Sequence, residues 1–191
     1  MNDGTPPEAA RPGQGPGGGT GDPAVRTPRL LIVMGVSGSG KTTIATRLAD
    51  RLGYRFAEGD DFHPRANVEK MSRDEPLTDA DRAPWLAAIH AFSVERLAAG
   101  ERLVVTCSAL RRRYRDTLMS GIADGRIVYL HGTHEVIAAR LAARKGHFFP
   151  ADLLISQFAT LEEPTAEENP LVVDIGPPPD AIVEEIIHEL S

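Results

Sequence analysis

Gly35–Thr42 reads GVSGSGKT, which fits G-x-x-x-x-G-K-[ST], the phosphate-binding P-loop. On its N-terminal side, Leu30-Leu31-Ile32-Val33-Met34 is a continuous apolar run of the kind a buried parallel strand requires. On its C-terminal side, Thr43-Ile44-Ala45-Thr46-Arg47-Leu48-Ala49 has helical character, with Ile44 and Leu48 on one face. Strand, glycine loop and helix in that order are the context in which this motif works. The glycines let the backbone turn its N–H groups inward around phosphates, at the positive end of the following helix. Lys41 is placed to reach the β/γ-phosphates and the Thr42 hydroxyl to ligate Mg²⁺. The candidate nucleotide-binding residues are Gly35, Val36, Ser37, Gly38, Ser39, Gly40, Lys41, Thr42 and Thr43, and the ligand is a nucleoside triphosphate.

The chain of 191 residues is the length of one domain with a tail. Residues 1–28 are the tail: Gly and Pro make up almost half of them, with large apolar residues nearly absent. Such a segment buries too little surface to offset its conformational entropy and is expected to be disordered. It lacks the apolar stretch of a secretory signal, and residues 29–191 form the domain. No apolar run approaches the length of a membrane span, so no membrane partner is expected. A formal charge of −6 argues against nonspecific nucleic-acid binding, which needs an excess of Lys and Arg. The single cysteine, Cys107, rules out an intramolecular disulfide and fits the reducing cytoplasm. It ends the apolar run Leu103–Thr106 and reads as a small core residue rather than a reactive thiol.

Strand-like runs recur at Tyr54–Ala57, Leu103–Thr106, Ile127–Leu130 and Leu171–Ile175, with helical stretches between them. Residues 64 to 99 look largely helical. Thr78 followed by Asp81 resembles a capping box, and Pro84 suits a helix's first turn. Trp85, Ile89, Phe92 and Leu97 then approximate one apolar stripe, ending at Gly100. In the final helix Asp180 is a candidate cap, and Ile182, Val183, Ile186, Ile187 and Leu190 form the buried face. Strands alternating with helices indicate an α/β fold whose parallel sheet is covered on both faces.

Ligands of open α/β sheets bind beyond the carboxyl ends of the strands, and three of those ends are polar here. The first is the P-loop, the second Glu58-Gly59-Asp60-Asp61-Phe62-His63-Pro64, the third Cys107-Ser108-Ala109-Leu110. The acidic cluster has two readings: a solvated loop before the next helix, or a carboxylate facing the γ-phosphate to accept a proton from an attacking hydroxyl. Asp60, directly after the turn glycine, is the candidate base, with Asp61 as the alternative; Glu58 is a candidate for orienting Mg²⁺. Arg111, Arg112, Arg113 and Arg115 begin the helix after the third strand, and a helix cannot aim all four at one pocket. Arg140, Arg144 and Lys145 precede Gly146-His147-Phe148-Phe149-Pro150, a basic, Gly-hinged segment. It reads as a lid over triphosphate or as an ordinary charged helix end. His131 and His134 lack metal spacing and read as ordinary loop residues.

Taken together, MGVSGSGKTT, EGDDFHPRANVEKM, EPLTDADRAPWL, CSALRRRYRD, ARKGHFF and QFATLEEP resemble, in order and spacing, the small bacterial-type (thermoresistant) gluconokinases. The resemblance runs from about Arg29 to the C-terminus. It implies a three-layer P-loop kinase fold of the nucleoside-monophosphate-kinase-like group, with a five-stranded parallel sheet, a substrate-binding helical segment and a lid. It also implies ATP- and Mg²⁺-dependent phosphorylation of D-gluconate at the 6-hydroxyl, and a homodimer. The substrate-side candidates are Asp60, His63, Arg65, Lys70, Arg115 and His147, with Arg115 the first candidate for the gluconate carboxylate. Where the family commonly has Lys after CSAL, this chain has Arg111, whose fork-shaped guanidinium is not equivalent to an ammonium. A shikimate or nucleoside-monophosphate kinase of the same fold is the alternative, but the D-G-[FY]-P-R segment of the latter is absent. A GTPase-like switch would need N-K-x-D, which is also absent.

Overall fold

The computed structural model describes residues 27–73, 75–143 and 151–191. Most of the Gly/Pro-rich tail and the whole segment Arg144–Pro150, where a lid is expected, lie outside the described residues. Five parallel strands form one sheet in the order β2-β3-β1-β4-β5: β1 Leu30–Met34, β2 Arg55–Ala57, β3 Leu103–Thr106, β4 Gly125–His131 and β5 Leu171–Asp174. β1 is central, with Ile32 paired to Val105 on one side and Ile127 on the other. All five of its residues are buried, which is why it reads as an unbroken apolar run.

The helices are α1 Lys41–Leu52, α2 Arg65–Met71, α3 Asp79–Ala98, α4 Arg112–Met119, α5 His134–Ala142, α6 Ala151–Thr160 and α7 Pro179–Glu189. α1, α5, α6 and α7 cover one face of the sheet, where Ile44, Leu48, Ile137, Leu154, Ile182 and Ile186 pack on Leu31, Val33 and Val128. α3 and α4 cover the other, with Trp85, Ile89, Tyr114 and Leu118 against Leu30, Ile32 and Val105. β5 contributes to the first layer only. Its burial alternates, leaving Val172 half exposed on the uncovered face of an edge strand.

Local chemistry places the helix ends, in two cases differently from the sequence reading. The stretch 64–99 is two helices, and the second starts at the Thr78–Asp81 capping box, in which each side chain bonds the other's backbone N–H. Because that box fixes the start at Asp79, Pro84 falls inside α3 rather than in its first turn. α7 begins after Pro178 with no side-chain cap. Asp180 instead pairs with Arg47 of α1 at 2.5 Å, so it ties two helices together rather than capping one.

Candidate active site

A cleft of about 550 Å³ lies at the carboxyl end of the sheet. It is lined by Ser37–Ile44, by Glu58 and Asp60 beyond β2, and by Arg140, Leu141, Pro179 and Ile182. The loop after β1 and the loop after β2 therefore converge on one space. α1 starts straight from the glycine loop with no side-chain cap at Gly40, which leaves its first-turn N–H groups for an anion. Gly38 has φ +85, and a Cβ there would stand 2.8 Å from Leu141 Cγ, so only glycine suits this turn.

Lys41 folds back over the loop, its Nζ donating to the carbonyls of Gly35 and Val36, each at 3.1 Å. Burial of the ammonium pulls its pKa below the usual lysine value, while the nearby charges of Asp60 and Glu58 act the other way. Thr42 Oγ1 donates to Glu58 Oε2 at 2.8 Å, which brings the two expected metal oxygens together. Thr106 also donates to Glu58 and accepts from the Gly59 N–H at 3.0 Å, so the end of β3 holds the acidic turn in place. Gly59 is packed so tightly that a Cβ would stand 1.9 Å from the Thr106 carbonyl oxygen. Its own carbonyl accepts from Trp85 Nε1 at 2.7 Å. This clamp sets Asp60 on the cleft wall; Asp61, exposed like Asp60, is not part of the lining.

Among the described residues no group of three His, Cys, Asp or Glu could hold a metal ion. A hydroxyl and a carboxylate suit Mg²⁺, which commonly takes one or two protein oxygens and completes its shell with phosphate and water. Cys107 is buried and its thiol is pushed up to about 12 by that burial, which makes it an inert core residue. His131 lies 3.8 Å from Glu163, and His134 packs at a tilt on Phe158.

The substrate-side candidates separate. His63 stacks on Trp85 with ring centroids 4.1 Å apart and sits 3.3 Å from the Asn67 amide nitrogen. Burial lowers its pKa, Asp60 opposes that shift and Arg82 adds to it. Arg65 is largely exposed and pairs with Glu69 one turn on. Lys70 is held by Asp81 at 2.8 Å. That contact, with the Thr78 bonds, keeps the Asp81 carboxyl far below the usual carboxylate range. Arg140 donates to the Ile175 carbonyl at the cleft edge. Arg144 and His147 lie outside the described residues.

Arg115 stands apart from the other substrate-side candidates: its side chain is 1% exposed and its guanidinium grips Glu168 through Nε (2.5 Å) and Nη2 (3.0 Å). Nη1 donates to the carbonyls of Ala109 at 3.1 Å and Glu162 at 2.8 Å. Burial alone would raise the Glu168 carboxyl, but the bonds from Arg115 and the Thr165 N–H leave it below its ordinary value. Arg111 and Arg113 share Asp79, and Arg112 pairs with Glu167, so these three make a surface network. Arg115→Met should therefore leave KM for gluconate nearly unchanged. Stranding Glu168 should cost about 3–5 kcal/mol of stability. A thermal melt checks this, and an unchanged Tm with a raised gluconate KM would return Arg115 to the substrate.

Two contributors escaped the sequence reading. Gln157 of α6 accepts from the Ser37 N–H at 2.7 Å and donates to Ser37 Oγ at 2.9 Å, clasping the P-loop. Asn67, 3% exposed, joins α2 to α3. Both lie in segments that carry the family resemblance, EGDDFHPRANVEKM and QFATLEEP, but their roles are not legible there, because each acts on a partner that only the fold brings near.

The AAA domain family matches residues 30–164. The chain is 53% identical to the gluconokinase of Gluconobacter oxydans (strain 621H), over 86% of this chain and 92% of that protein. It is 46% identical to the thermoresistant gluconokinase of Escherichia coli (strain K12), over 85% and 93%. A crystal structure of a gluconokinase from Sinorhizobium meliloti 1021 superposes with TM-score 0.78 at 48% identity, over 86% of this chain and 93% of that one.

Proposed function

This chain belongs to the gluconokinase family, and on that premise we propose that it transfers the γ-phosphoryl group of ATP to the 6-hydroxyl of D-gluconate, giving 6-phospho-D-gluconate. The observation that carries the reading is the convergence of Lys41, the Thr42–Glu58 pair and Asp60 on one cleft. The uncapped N–H groups of α1 and the Lys41 ammonium, swung away from Gly35 and Val36, hold the β/γ-phosphates and offset charge on the transferring group. Thr42 and Glu58 are the residues that would hold Mg²⁺, which supplies further neutralisation of the phosphates. Asp60 accepts the proton as the 6-oxygen bonds to phosphorus and the bridging bond to ADP breaks.

On the substrate side His63 contacts a gluconate hydroxyl. Arg115 is buried on Glu168 and Lys70 is held by the half-buried Asp81, whereas the pair of Arg65 with Glu69 is exposed and readily exchanged, so Arg65 is the proposed partner of the gluconate carboxylate. Arg140 meets the phosphates from the other wall, and Arg144 and His147, outside the described residues, stay candidates for the nucleotide and for gluconate respectively. Among the described residues no helix is long and apolar enough to cross a membrane. The resemblance supports a homodimer, the single cysteine fits the cytoplasm, and the formal charge of −6 argues against a nucleic-acid partner.

The test is ADP release measured side by side with gluconate, glucose, shikimate and nucleoside monophosphates. Gluconate should be turned over, and glucose should fall behind by at least about a hundredfold in kcat/KM, since it lacks the carboxylate and cannot present the same open chain. Comparable turnover of shikimate or a nucleotide would overturn the assignment.

A further inference from the structure

We infer that Asn67 is a positioning residue that fixes His63 as the neutral Nε2–H tautomer, so that His63 offers gluconate a hydrogen-bond donor while Asp60 stays the proton acceptor. The inference rests on the substrate reading above and deepens it.

The backbone carbonyl of Asp81, in the first turn of α3, lies 2.8 Å from Asn67 Nδ2. A carbonyl oxygen only accepts, so the amide group facing it is the NH₂ end; the flipped amide would set two acceptors against each other. Asn67 is 3% exposed, and water cannot relieve such a clash. The same nitrogen lies 3.3 Å from His63 Nδ1. An NH₂ group has no lone pair to offer there, so Nδ1 is the acceptor and the ring proton sits on Nε2.

The surroundings then keep the ring neutral. A second proton would have to enter at Nδ1, where it would meet the Asn67 N–H. Burial of the ring and the like charge of Arg82, from α3, act against the imidazolium, while the face of Trp85, stacked at an interplanar angle of 14°, attracts a cation and works the other way. The other opposing group is Asp60, in the turn Gly59–Phe62, whose carboxylate favours the charged ring. The Asn67 donor adds to burial and Arg82, and the balance falls on the neutral side. Asn67 is itself anchored through Asp81, the residue bonded by Thr78 and Lys70, so the tautomer is tied to the junction of α2 and α3. A neutral donor beside Asp60 orients a hydroxyl through its oxygen and does not compete for its proton.

The ring nitrogens can be read directly by long-range ¹H–¹⁵N NMR on the full, uniformly ¹⁵N-labelled chain, with His63 assigned by its loss in His63→Gln. Nδ1 should resonate as a bare acceptor and Nε2 as an N–H, with a titration midpoint below about 6.5, the ordinary histidine value. An Nδ1–H ring, a tautomer mixture or an ordinary midpoint overturns the inference, and this arm needs no variant at Asn67. In Asn67→Asp the carboxylate should pull the proton to Nδ1 and raise the midpoint by about one unit or more. The acid limb of kcat/KM for gluconate should move to higher pH with it, because the ring charges sooner, while KM for ATP holds. An acid limb that stays put overturns the link from Asn67 to gluconate. Absence of gluconate phosphorylation by the wild-type chain, with the tautomer as expected, overturns the substrate reading instead.

Discussion

A Lys41→Met chain should fold, melt within a few degrees of wild type and turn over about a hundredfold more slowly or worse. The two halves of this expectation have different physical origins. Among the described residues Lys41 has no ion-pair partner; it donates to two loop carbonyls from a desolvated position that already lowers its pKa. Removing a desolvated charge relieves an unfavourable burial, which offsets the loss of two hydrogen bonds. Met is unbranched, fits the same channel and is a good helix former at the first position of α1. Stability should therefore hardly register the change. Turnover should register it strongly, because charge moves toward the bridging oxygen as the phosphoryl group leaves, and a preorganised cation in a low-dielectric cleft is worth most at that moment. ADP release under saturating ATP and gluconate measures the effect, with the thermal melt as the folding control. A folded Lys41→Met chain with near-wild-type kcat would mean that Lys41 only closes the loop on Gly35 and Val36.

What the sequence disclosed follows the range over which its signals act. GVSGSGKT, the apolar runs and the Thr78–Asp81 box are local patterns whose physics is complete within a few residues, and the structure has strand, loop, helix and cap where those patterns put them. Arg115 shows the opposite case. Its position in a run of arginines is indistinguishable from that of its neighbours, and what separates it is Glu168, 53 residues on. Ser37 and Gln157 stand 120 residues apart, and nothing near Gln157 announces that it will clasp the P-loop. Pro84 misled for a related reason: proline's preference for a first turn is a tendency, and here the Thr78–Asp81 capping box had already set the start at Asp79, five residues upstream. Element type is thus written locally, whereas the partner of a buried charge is written in the topology.

Asp60 joins the two levels, and Asp60→Asn should lower kcat by about 10²–10⁴-fold, the usual contribution of a positioned general base. Asn keeps the size and shape of the side chain, and the Gly59 turn that aims it is held by Thr106 and Trp85, neither of which bonds the Asp60 carboxylate. The fold and the cleft should therefore survive, and KM for ATP should change little. Asp61→Asn is the control with the same chemistry one residue away. Asp61 is exposed and outside the cleft lining, so its loss should cost at most a fewfold. Reversal of the two effects would exchange their roles. Asp60 also works on Lys41, whose lowered pKa its charge partly restores. Without that charge Lys41 should lose its proton at lower pH than in the wild type, so the alkaline limb of the remaining activity should move toward neutrality. A kcat loss without that displacement would locate the effect of Asp60 at the substrate hydroxyl alone. The displacement without the loss would make Asp60 an electrostatic support for Lys41, and the 6-hydroxyl would then give up its proton to the phosphate or to water.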